Sequence, residues 1–261
     1  MKSDLANQLW QARMDGSLID TSTVDLPSDE TAAYDVQAAI TELQGKPPVG
    51  FKVGATSKAA QNALGFAQPF IGPLLNRFSR KSGDQVPVAA CHKPLLEAEV
   101  VVGLAQDLPP RSSAYTTDEV ERAVGWISPG IEVCATRFDM ELAGNGLLLI
   151  ADSGINMDFV LGDPVSEWGD VDLSEHPATL SVNGEKVAEG HSGMSVFGHP
   201  FGVVGWLATH PSLSTRGLKA GDIVTTGTCT GMTPAKAGDE AQADFGALGQ
   251  VTARFVSAEE R

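Results

Sequence analysis

The sequence predicts an α+β protein, with a small helical N-terminal region over residues 1–48 and a β-rich body over residues 49–261. Three observations carry this. Apolar residues recur at three- to four-residue spacing through the first forty-odd positions, as an amphipathic helix requires. From Val49 onward the apolar runs are short and bounded by Gly, Pro, Asn and Asp, the pattern of strands and turns. Regular strand–helix alternation is missing, and with it the doubly wound nucleotide-binding sheet.

Leu5, Leu9, Trp10 and Met14 mark a first helix, and Ala33, Val36, Ala39, Ile40 and Leu43 a second. Ser28 is the expected cap of the second, Asp29 and Glu30 suit the positive end of its dipole, and Gly45-Lys46-Pro47-Pro48 stops it. Strands are expected at 50–54, 95–104, 130–135, 159–161, 179–182, 222–226 and 251–256. Thr117 with the acids that follow opens a further helix, and another runs between Pro200 and His210. Gly144-Asn145-Gly146 lacks the third glycine of a phosphate cradle and reads as a turn.

The chain has 261 residues, 42% of them apolar, so one sizeable core or two small ones can form without staples. Lys and Arg total 18 against 33 Asp and Glu, a formal charge of −15. Such a surface repels phosphate backbones and anionic membranes, so neither nucleic acid nor membrane is an expected partner. Apolar stretches such as Leu147–Ile150 fall far below the ~20 residues that span a bilayer. The N-terminus has no export signal, and the odd set Cys91, Cys134 and Cys229 reads as reduced thiols, which together predict a cytoplasmic protein.

The residues most out of place are charged ones in apolar runs. In Leu95-Leu96-Glu97-Ala98-Glu99-Val100-Val101-Val102, the two-residue period puts Glu97 and Glu99 on one strand face. If that face is buried, a positive group must sit between them, because each ionised carboxylate then carries a desolvation cost of several kcal/mol; a solvated face accommodates the pair equally well. Glu132, between Ile131 and Val133, is a third acid in a similar setting. Three carboxylates without suitably spaced His or Cys form an oxygen-only ligand set, suited to Mg²⁺ or Mn²⁺ and unsuited to zinc. Lys52, in Gly50-Phe51-Lys52-Val53-Gly54, reads either as a snorkelling surface lysine or as the partner of a bound anion and a mover of protons. The turn Thr225-Thr226-Gly227-Thr228-Cys229-Thr230-Gly231 is either an ordinary connector or a source of hydroxyls, Thr228 among them, and free N–H groups for an anion.

These segments, with Leu9-Trp10-Gln11-Ala12-Arg13, Ala33-Tyr34-Asp35-Val36-Gln37, Ala151-Asp152 and Ala243-Asp244-Phe245-Gly246, resemble the fumarylacetoacetate hydrolase superfamily. Within it they resemble the branch of 2-keto-4-pentenoate hydratases and 4-oxalocrotonate decarboxylases. The resemblance implies a mixed β-roll catalytic domain of the fumarylacetoacetate hydrolase C-terminal type. It implies Mg²⁺ or Mn²⁺ on Glu97, Glu99 and Glu132, catalytic roles for Lys52 and Asp152, and substrate contacts from Lys52 and Thr228. The implied substrate is a small unsaturated 2-oxo or 2-hydroxy acid, such as a 2-hydroxypenta-2,4-dienoate from the catabolism of ring-cleavage products, hydrated to a 4-hydroxy-2-oxo acid. A decarboxylase, or a non-catalytic partner subunit in complex with a related lyase, is the alternative; a homo-oligomer is the implied assembly. Hydrolytic members use an additional His, and no His precedes His92, which points away from C–C hydrolysis. An anionic substrate on so acidic a protein further requires a site that is locally positive.

Overall fold

The computed structural model describes residues 2–258. Helices α1 (Lys2–Asp15) and α2 (Glu30–Leu43) form where the three- and four-residue apolar spacing lies. The cap of α2 is Asp29, whose carboxylate accepts from the Ala32 N–H at 2.8 Å; Ser28 instead donates its hydroxyl to Asp29. Leu5, Leu9, Val36 and Ile40 pack with Phe70, Leu75, Phe78, Leu148 and Ile150. The Gln37 side chain donates to the carbonyls of Ile71 and Ile150 at 3.0 and 2.9 Å, tying the helical layer to the strand that backs the site.

The remaining elements are β1 (Gly50–Gly54), α3 (Lys58–Leu64), β2 (Phe70–Leu74), β3 (Ser79–Lys81), β4 (Gln85–Val88), β5 (Leu95–Leu104), α4 (Thr117–Glu121) and β6 (Val124–Cys134). These are followed by α5 (Gly146–Ala151), β7 (Asn156–Leu161), β8 (Pro177–Val182), β9 (Glu185–His191) and α6 (Pro200–Leu207). The chain closes with β10 (Ile223–Thr228), β11 (Thr233–Pro234), β12 (Glu240–Asp244) and β13 (Gln250–Ser257). An eight-stranded sheet runs β2-β1-β10-β5-β6-β7-β3, with β11 also on β5, and a five-stranded sheet runs β4-β13-β12-β8-β9. Both are mixed: β1–β10, β3–β7 and β4–β13 are parallel and the other pairs antiparallel. Val100, Val102, Ile127, Ile131 and Val133 of the first sheet meet Leu180, Ala243, Val251 and Phe255 of the second in the main core. The result is the α+β mixed β-roll that the sequence predicts.

Of the boundaries that differ from expectation, two have visible reasons. Strand β6 starts at Val124 and carries Pro129 opposite Val100 in mid-sheet, so the proline that reads as a strand limit lies inside one. Helix α4 is capped one residue early, by Thr116, in a reciprocal capping box with Glu119.

Candidate functional site

Every sequence-predicted acid of the centre is buried on one face of the first sheet. Antiparallel pairing sets Glu97 of β5 directly opposite Glu132 of β6, and Glu99 opposite Gly130. Glu99 and Glu132 are fully buried and Glu97 nearly so, which removes the solvated-face alternative. Lys52 is buried with them on β1, its Nζ 3.2 Å from Glu132 Oε1, so the snorkelling alternative falls too. The Asn156 side-chain amide donates to the same Oε1 at 3.0 Å.

Glu99 is held by a device that spacing alone does not reveal. The register between β10 and β5 slips between Thr225 and Thr228, and a bulge of this kind re-aims the backbone. Here it turns the Gly227 N–H onto Glu99 Oε2 at 2.7 Å. Gly227 has φ +95, and a Cβ there would lie 2.2 Å from Thr56 Oγ1, so glycine is required. Thr228 follows at the rim of a cavity of about 40 Å³ shared with Lys52, Glu97, Thr56 and Phe70. Its hydroxyl donates to the Gly231 carbonyl and accepts from the Thr230 N–H.

Asp152 sits in a different setting. Its carboxylate accepts from the Arg137 backbone N–H at 2.7 Å, from Arg137 Nε at 2.6 Å and from the Thr136 hydroxyl at 3.1 Å. The Arg137 guanidinium also donates to the carbonyls of Ala135 and Asp152. This buried ion pair anchors Ser153, Gly154 and Ile155, three consecutive left-handed residues with φ of 57, 65 and 55°. For a β-branched residue such as Ile155 that region is strained. The turn is pressed against Lys52: a Cβ on Gly154 would lie 3.1 Å from Lys52 Cδ, and one on Gly72 would lie 2.4 Å from the Ser153 carbonyl.

Three ionised carboxylates against one ammonium would leave uncompensated negative charge in a buried site. Burial pushes Glu97 up to about 7 against the pull of Lys52, with Glu132 adding repulsion. Burial and the repulsion of Glu132 and Glu97 raise Glu99 well above the carboxylate range. Burial alone would lower Lys52, yet Glu132 holds it above its ordinary value, so the amine stays charged. Glu99 Oε1, Glu132 Oε2 and Asn156 Oδ1 are buried without a hydrogen-bond partner. Orphaned carboxylate oxygens of this kind are what a hard divalent cation satisfies, so the residues fit one.

Sequence reasoning singled out the turn that holds Gly227 as a source of free N–H groups but gave Gly227 no role of its own, and it missed Asn156, Arg137 and Cys134. Cys134 alone had a legible signal, standing two residues beyond Glu132 on the same strand face. Its Sγ lies 3.3 Å from Glu97 Oε2, and one donor atom each from Glu97, Glu132 and Cys134 falls within 4.8 Å of the others. Cys91, Cys134 and Cys229 are all unpaired, as expected of reduced thiols. Among the described residues no helix is long and apolar enough to cross a membrane.

The profile of the family described as Fumarylacetoacetate (FAA) hydrolase C-terminal matches residues 54–256. The chain is 31% identical to a 2-keto-4-pentenoate hydratase of Burkholderia vietnamiensis (strain G4 / LMG 22486), over 97% of each chain. It is also 31% identical to a 4-oxalocrotonate decarboxylase of Pseudomonas sp. (strain CF600), covering 97% of this chain and 96% of that one. A solved 4-oxalocrotonate decarboxylase from Pseudomonas putida G7, complexed with magnesium and adipate, superposes with a TM-score of 0.87 at 29% identity, over 98% of this chain and 97% of that chain. With the profile spanning most of its length and relatives aligned end to end, the chain belongs to the fumarylacetoacetate hydrolase family.

Proposed function

We propose that the protein is a lyase that adds water to a 2-hydroxypenta-2,4-dienoate-type acid in a divalent-metal-dependent reaction, giving a 4-hydroxy-2-oxo acid. The observation that carries this is the buried trio Glu97, Glu99 and Glu132 with its orphaned oxygens, facing a lysine that stays charged. Glu97, Glu99 and Glu132 would hold Mg²⁺ or Mn²⁺, which when bound supplies Lewis acidity to the carboxylate and 2-oxo oxygens of such a substrate.

The chain's own residues do the rest. Lys52 Nζ, cationic and desolvated, pairs with the anionic oxygen of the substrate and can hand a proton to carbon as the dienol ketonises. In ketonisation the terminal carbon gains the proton from Lys52, the hydroxyl proton returns to the amine, and a double bond conjugated to the 2-oxo group is left. Water then adds its oxygen to the far carbon of that bond and its proton to the near one. Gly227 fixes Glu99, and Asn156 fixes Glu132. Asp152 acts through Arg137 and the left-handed turn as a positioning residue for Lys52. Thr228 lines the cavity beside Thr56. Lys52 offers one positive charge against three acids, so an anionic substrate is received only with the cation in place.

The test is loss of dienoate absorbance with Mg²⁺, Mn²⁺ or chelator. Turnover that requires the ion and yields the hydroxy-oxo acid supports the reading; no turnover across a panel of short dienoates excludes it. The whole-chain likeness to the Pseudomonas putida G7 decarboxylase supports a second reading. In it the same centre accepts the electron pair left by departing CO₂. Release of CO₂ from a dicarboxylic substrate separates the two, and activity only after co-purification with a related lyase would indicate a partner subunit. A homo-oligomer is the proposed assembly, checked by light scattering.

A further inference from the structure

We infer that Cys134 is a fourth donor of the carboxylate centre, so that the centre carries one soft ligand and favours thiophilic divalent cations, of the cobalt and zinc class, over magnesium. The inference rests on the proposed role of Glu97, Glu99 and Glu132 as a divalent-cation site, and adds to it a ligand that sets metal preference.

The geometry is built by the β-ladder rather than by sequence spacing. Strand β6 carries Glu132 and Cys134 on one face, and β5 brings Glu97 across from Glu132. The Cys134 thiol donates to Glu97 Oε2 at 3.3 Å, and the three donor atoms lie within 4.8 Å of one another. Metal–oxygen and metal–sulfur bonds of about 2.0–2.3 Å place tetrahedral ligands about 3.5 Å apart, which is close to the observed sulfur–oxygen separation. The pocket is already supplied with unsatisfied buried acceptors, Glu132 Oε2, Glu99 Oε1 and Asn156 Oδ1. Cys134 packs with Leu149 and Ile155, contacts that alanine or valine would also make, and beyond them it turns a polarizable donor toward a carboxylate.

Thiolate is a soft ligand and carboxylate a hard one, so a mixed set moves preference along the divalent series toward cobalt and zinc. On binding, a metal–sulfur bond forms, the S–H bond breaks and the proton leaves to buffer, as thiolate coordination requires. His and Cys spacing along the chain points away from such a metal, because Glu97 joins Glu132 and Cys134 only across the ladder from another strand.

The experiment is a Co²⁺ titration of the full chain under reducing, oxygen-free conditions. The expected result is a thiolate-to-cobalt charge-transfer band in the near ultraviolet, rising together with the visible bands of bound cobalt. Cys134→Ser should keep the visible bands and lose the ultraviolet one, with Co²⁺ affinity down roughly 10- to 100-fold. Its Mg²⁺ affinity, read by competition, should stay within about threefold, because a hard ion gains little from sulfur. Cys91→Ser, at the exposed thiol, should keep both sets of bands. X-ray absorption at the cobalt edge of the wild-type protein needs no variant and should show one sulfur neighbour. Visible bands without the ultraviolet band, or a cobalt shell of oxygen alone, would overturn the inference and leave the three-carboxylate site standing. Failure to bind Co²⁺, Mg²⁺ or Mn²⁺ at all would overturn both.

Discussion

At the scale of single residues, Lys52 decides what the centre can do. A buried amine usually titrates downward, becoming a base; here the neighbouring Glu132 reverses that, and the side chain is an ammonium in the resting protein. Lys52→Met removes the positive charge proposed to face the substrate anion. The expected outcome is a fall in kcat of roughly 10²–10³, the loss typical of one stabilising donor at an oxyanion, with the cation still bound in a calorimetric titration. The acids titrate in the opposite sense. With Glu97 pushed up to about 7 and Glu99 well above the carboxylate range, the metal-free cluster holds protons that a cation must displace. Metal affinity therefore rises with pH through about 7 and falls below it. Calorimetry in two buffers of different ionisation enthalpy checks this: the apparent binding enthalpy should differ between them by an amount that reports released protons, and identical enthalpies would contradict it.

At the scale of elements, β5, β6 and the bulged end of β10 bring the site together, while the turn after α5 braces it. The Asp152–Arg137 pair is the fixture of that brace, with every polar group of both side chains directed into it or into nearby carbonyls. Asp152→Asn leaves the guanidinium buried without a counter-charge, and the expected cost is about 3–5 kcal/mol, read as a lower denaturation midpoint in urea. Activity should fall with it, as the turn beneath Lys52 loosens. How legible each element was follows from physics at particular residues. Strands β1 and β5 stand where their apolar runs predict because both are interior to the sheet. Strands β2 and β4 are absent from the expected set; each carries a proline, Pro73 and Pro87, and both lie at sheet edges, where a missing N–H is tolerated. Strand β12, Glu-Ala-Gln-Ala-Asp, has only alanines facing the core and gives too weak an alternation to stand out. Glu97, Glu99, Glu132 and Lys52 were legible as charges in apolar runs. Gly227, Asn156 and Arg137 were not, since their roles arise from a bulge, a neighbouring strand and a turn that become adjacent only in the folded chain.

At the scale of the whole molecule, stability and acidity are linked through a buried histidine outside the acid cluster. His210 is packed between the rings of Tyr34 and Trp206 at 5.4 and 5.2 Å, and its Nδ1 accepts from the Ser212 N–H. Burial lowers it from 6.5 to about 4, so the folded protein keeps it neutral. The unfolded chain binds the proton first, so the associated stability is present above pH 6.5 and is lost as pH falls from there towards 4. The loss reaches up to about 3 kcal/mol. His210→Asn retains an acceptor without the titration, and its Tm should decline less between pH 7 and pH 5 than that of the wild type. Equal declines would remove His210 as the cause.

The proposed activity depends on one divalent ion shared by Glu97, Glu99 and Glu132 inside the sheet face that also carries Lys52. The most direct measurement is anomalous scattering from crystals grown with Mn²⁺. The account predicts a single strong peak within bonding distance of all three carboxylates. A map without that peak, or with manganese only at surface acids, would contradict it.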